Sequence, residues 1–164
     1  MIFGITTFTL IHVVLSLVGI VAGLVVAGGL AAGRQLNRWA VVFLITTVLT
    51  SVTGFGFPFV TFLPSHAVGI VSLVVLPVVV VARYVKHLAG AWRRIYVVGV
   101  VLATYLNVFV VVAQLFRRIP ALIVSAPTQS EPPFAITQGL VMALFVWLAV
   151  AADKGFRPAP VRTV

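Results

Sequence analysis

Cysteine is absent from this sequence, which excludes disulfides, thiolate metal sites, iron–sulfur clusters and thiol redox chemistry. Acidic residues are almost absent: Glu131 and Asp153 are the two in 164 residues. Neither lies inside an apolar run, so the carboxylate relay common to proton- and sodium-coupled transporters is missing. Glu131 has no acidic neighbour for paired-carboxylate catalysis. No Walker-type loop, HExxH or GxSxG occurs, and no catalytic residue or metal site is read from the chain. Charge of either sign is scarce, at 8% of residues against 62% hydrophobic. A soluble domain of this length could not cover its surface with so little charge.

What the chain has is long uncharged runs, with a mean hydropathy of +1.26. Its net charge of +9 comes from basic residues at the ends of those runs. That placement points to topology and lipid headgroups, and nucleic acid is not expected as a partner. The first run, residues 5–30, carries no charge for 26 residues. At about 1.5 Å per residue it exceeds the ~30 Å hydrocarbon core of a bilayer. It lacks a basic lead-in and is too long for a signal peptide, so a retained helix is expected. Thr9, His12, Ser16, Gly19, Gly23 and Ala27 recur at spacings of three and four and share one face. Such a stripe of small and polar residues is expected to pack on other helices, with Ser16, Gly19 and Gly23 as its packing residues.

Four more runs come after it, at about 39–57, 66–82, 95–116 and 135–152. The expected fold class is therefore all-α, an integral membrane bundle of five transmembrane helices forming a single domain over 1–164. The second run is rich in hydroxyls, which can return hydrogen bonds to carbonyls one turn back. Pro77 is expected to kink the third. Residues 119–124 are too short to span and should lie on the surface or dip into the bundle. Counted over the connections, nine basic residues fall on one side and two on the other. The positive-inside bias predicts an outer N-terminus, a cytoplasmic C-terminus and an outer loop at 119–134. No internal repeat marks an inverted-repeat transporter.

On this topology several polar groups reach similar depths. His12, Thr50 and Asn107 each lie about 12–13 Å below the outer end of their helices, with Ser72 near them. Thr9, Thr53, Gln114, Gln138 and His66 lie above. This predicts a polar cup in the outer half, with His12, Thr50, Asn107, Gln114, His66 and Gln138 as candidate ligand-binding residues. The competing reading is packing glue worth about 0.6–2 kcal/mol per contact. His12 stands apart, because an ionisable group in the hydrocarbon is a functional candidate by default; Asn107 or Thr50 is its expected partner. A haem on two histidines would need His12 and His66 at matched depth, and they differ by roughly 10 Å along the helical rise.

The segment RRIPALIVSAPTQSEPPF, with LNVFVVVAQ before it, resembles a stretch found in small multi-span bacterial membrane proteins. The likeness extends over TSVTGFGFPF and most of the chain. It implies a bacterial inner (cytoplasmic) membrane and brings no activity, substrate or site residue. The functional expectation is a non-enzymatic binding module or accessory subunit holding a quinone or lipid in the outer cup. The alternatives are a structural or assembly subunit of a larger complex, or a homo-oligomer, and a membrane redox enzyme using haem or quinone.

Overall fold

A computed structural model describes residues 6–57 and 64–156. All its regular elements are helical: α1 (Thr7–Ala31), α2 (Asn37–Gly54), α3 (Pro64–Val80), α4 (Ala91–Arg118), α5 (Pro120–Ser125) and α6 (Pro132–Gly155). No strand occurs among the described residues. With no water inside a bilayer, a helix is the one open-chain element that pairs its own backbone groups, so uncharged runs of this length fold this way. The Thr6 hydroxyl caps α1 by accepting from the Thr9 N–H.

Four helical stretches are long and apolar enough to cross a membrane: Thr7–Ala31, His66–Val85, Ala91–Arg118 and Pro132–Gly155. α2 is not among them. It has 18 residues, opens on Asn37 and Arg38, and carries five hydroxyl side chains. Its place comes from packing between α1 and α3. α1 touches α2, α4 and α6, and α4 also touches α3 and α6, so α1 and α4 form the axis of the bundle.

α3 runs through Pro77 as a helix and passes into a π-helical turn, Val81–Val85, four residues later. Such a turn admits one extra residue and rotates the residues beyond it about the helix axis. The chain then reverses through three residues with positive φ: His87 at 47°, Leu88 at 59° and Gly90 at 54°. Leu88 accepts this strained conformation because its side chain is buried in the core. α5 has no buried residue and lies on the surface beside α4.

The main core fills the half of the bundle at the α1–α2 turn. There Val26, Leu30, Phe43, Leu76, Val79 and Val100 are almost fully enclosed. A second cluster joins Ala27, Val101 and Phe145 across α1, α4 and α6. A third joins Val112, Phe116 and Ala126 at the opposite end.

Candidate polar site at the α1–α2–α4 junction

Gly19 and Gly23 bring α1 against α2 and α4. A Cβ on Gly23 would run into the Thr104 side chain and Phe43. One on Gly19 would lie 3.2 Å from the Thr46 and Thr47 hydroxyls and 3.6 Å from Asn107 Nδ2. The small residues therefore admit polar side chains from two neighbouring helices into one space.

The hydroxyls around that space fall into two classes. Thr46 donates to Val42 O at 2.7 Å, Ser51 to Thr47 O at 2.9 Å, Thr53 to Leu49 O at 2.7 Å and Thr104 to Val100 O at 2.8 Å. These four satisfy themselves within their own helices. Thr47 Oγ1 and Thr50 Oγ1 do not. Both are buried without a hydrogen-bond partner, and so is Asn107 Nδ2. Thr47 and Asn107 flank Gly19, and Thr50 stands about one turn further along α2. Each such group costs about 1–3 kcal/mol when buried and unpaired. The sequence singled out Thr50 and Asn107 but took Thr47 as one more helical hydroxyl. Its position beside a glycine on the facing helix is the signal, and that requires the helix rotation to be known.

The other candidates occupy different interfaces. His12 is half-buried, and its partner is neither Asn107 nor Thr50: Nδ1 and Thr53 Oγ1 share a hydrogen bond of 2.8 Å. The reason is geometric. His12 lies nearly two turns before Gly19 on α1, and in the antiparallel α1–α2 pair that level matches Thr53. The Phe57 ring closes on the imidazole edge-on at 5.1 Å. Thr9 bonds with Thr6 at 2.8 Å. His66 is buried beside Phe55, their ring centroids 6.2 Å apart. Gln138 is buried between α4 and α6 and donates to Phe109 O at 3.1 Å, while its Oε1 has no partner. Gln114 and Ser16 are half-buried. Ser72 is buried on α3. The polar residues are thus shared out among the α1–α2, α1–α2–α4, α2–α3 and α4–α6 contacts.

Among the described residues no group of three or more His, Cys, Asp or Glu is placed to hold a metal ion. Outside the helical spans, Glu131 is held below the usual carboxylate range. Desolvation, which raises it, is outweighed by hydrogen bonds from the Thr128 hydroxyl and the Thr128 and Ser130 N–H groups. The same loop is fastened to α4 by Gln129, which donates to Ala113 O at 2.6 Å.

At the other end one basic residue does more than mark topology. Arg83, in the π-helical turn, is buried, donates to Tyr96 Oη at 2.8 Å and to Asn37 Oδ1 at 2.7 Å, and lies over the Tyr96 ring. From the sequence it counts only among the basic residues at the ends of the runs, because a π-helical turn leaves no mark that periodicity can detect. No family model, curated protein or solved structure matches the chain.

Proposed function

We propose that this chain is a small multi-pass protein of the bacterial cytoplasmic membrane. In this reading α2 crosses with the other four long helices, the N-terminus is outside and the C-terminus is cytoplasmic. It acts as a non-enzymatic binding module or accessory subunit, taking a small amphipathic molecule, a quinone or a lipid, in the outer half of the bundle. The observation that carries this reading is the unused hydrogen-bonding capacity of Thr47, Thr50 and Asn107 around Gly19. Packing glue would pair these groups with one another or with carbonyls, as the four neighbouring hydroxyls do. A quinone carbonyl or a lipid ester would accept from Asn107 Nδ2 and from either threonine.

The test is native mass spectrometry with an absorption spectrum, on protein purified in a mild detergent. A retained quinone or lipid that Asn107→Leu abolishes supports the reading. A Soret band would replace it with haem chemistry, and a stoichiometric second polypeptide with an assembly role. If nothing is retained and Asn107→Leu raises thermal stability, the site is a packing defect and the reading fails.

A further inference from the structure

The outward side of the α3–α4 contact carries a groove of about 410 Å³. Its walls are Val74 and Val78 on α3 and Ile95, Val98 and Leu102 on α4, all exposed. Its floor is Gly99 against Val79, where the missing side chain lets the helices close up. One polar side chain lines it: Arg94, at the end where α4 begins. We propose that this groove holds one acyl chain of an anionic phospholipid, with the lipid phosphate at Arg94.

Charge and shape both favour that occupant. The Arg94 side chain is 72% exposed, and its Nε lies 3.5 Å from Asp153 Oδ2. Asp153 is already held at 2.7 Å by Arg93 Nη2, so Arg94 keeps most of its charge for an outside anion. Arg94 sits in the first turn of α4, which has no acidic residue to meet the positive end of the helix. Arg34, Arg38, Lys86 and Lys154 stand at the same end, where Asp153 is the one acidic residue among those described. Below this cationic mouth the lining is wholly aliphatic, as a hydrocarbon chain requires. A guanidinium above an apolar slot thus meets a phosphate above a tail. The site lies on the opposite face of α4 from the Gly19 junction and stands independently of it.

Purified protein is titrated with phosphatidylglycerol and, separately, with phosphatidylcholine, and bound lipid is counted by native mass spectrometry. One phosphatidylglycerol should be held in preference. Arg94→Gln should lower its retention about fivefold and erase the preference, leaving phosphatidylcholine unchanged. Arg118→Gln, at the opposite end, should change neither. Val98→Trp should lower retention of both lipids about tenfold by filling the groove. Val74→Trp does the same from the other wall, and unchanged thermal transitions show that the variants fold. Equal retention of the two lipids by the parent overturns the proposal. So does indifference to Arg94→Gln or to both tryptophans, displacement by millimolar inorganic phosphate, or a dimer that Val98→Trp dissociates.

Discussion

The two ends of this bundle differ in how completely their buried polar groups are paired. Among the described residues at the basic end, every buried side-chain donor but one has a partner. Arg83 spans α3 and α4 through Tyr96 and reaches α2 through Asn37. Arg93 donates to the Asp153 carboxylate and to the carbonyls of Asp153 and Phe156, tying α4 to the end of α6. Gly155 packs its bare Cα against the Ala31 carbonyl. The aliphatic core lies directly beneath. Arg83 Nε is the exception. Toward the other end, Thr47, Thr50, Asn107 and Gln138 each leave a buried polar atom without a partner. A half that pairs its groups across helices holds the fold together. The other half pairs groups too, His12 with Thr53 and Gln138 with Phe109 O, but it also keeps four buried atoms unpaired, and the proposed binding reading rests on those of Thr47, Thr50 and Asn107.

The contrast can be broken most severely at its hinge, Gly23. Gly23→Leu should drive α1 away from Thr104 and Phe43 and cost about 3 kcal/mol, seen as a lower thermal transition in detergent. Gly28→Ala is the control: nothing stands within 4 Å of a new Cβ there, so stability should hold or rise. A tolerated Gly23→Leu would mean that the α1 stripe is not a packing face.

Next comes the basic end. Arg83→Ala should cost about 2–3 kcal/mol, because Tyr96 Oη and Asn37 Oδ1 lose their donor inside the core. Arg83→Lys should recover only part of this, since one ammonium replaces a fork that reaches two helices. An unchanged transition for Arg83→Ala would remove the case for a built network at this end.

A smaller effect separates the two polar groups of the other half. His12→Ala and Thr53→Val should be non-additive by about 1 kcal/mol in a double-mutant cycle. His12→Ala and Asn107→Ala should add, since no side chain is shared between them. Coupling in the second cycle would show that the two groups act as one site.

The smallest effect belongs to the loop before α6. The Glu131 carboxyl is depressed, so its contribution is complete above the ordinary carboxylate value and is lost as pH falls through the folded value. Amide protection at Thr128 and Ser130, taken relative to the intrinsic exchange rate at each pH, should fall on that acidification. In Glu131→Gln the protection should be low at every pH, and a flat protection profile in the parent would show that the carboxylate does not hold the turn.

The helices were legible because a bilayer forces them: an uncharged run that cannot bond to solvent must pair its own backbone. Thus the run at residues 5–30 became Thr7–Ala31, and the run at 135–152 became Pro132–Gly155. The spacing of Gly19 and Gly23 likewise depends only on the 3.6-residue turn, so their common face could be read directly. Partners could not, because a hydrogen bond depends on the rotation and offset of two helices, and a shift of one turn moves every group by about 5.4 Å. That offset gave His12 to Thr53 and left Asn107 beside Thr47. The π-helical turn, which has no periodic signature, turned Arg83 inward to Tyr96 and Asn37. The sequence by itself determined which segments become helices and which face of α1 is small. Only the tertiary structure decided which polar groups are paired, because pairing is a property of two surfaces and the sequence describes them one at a time.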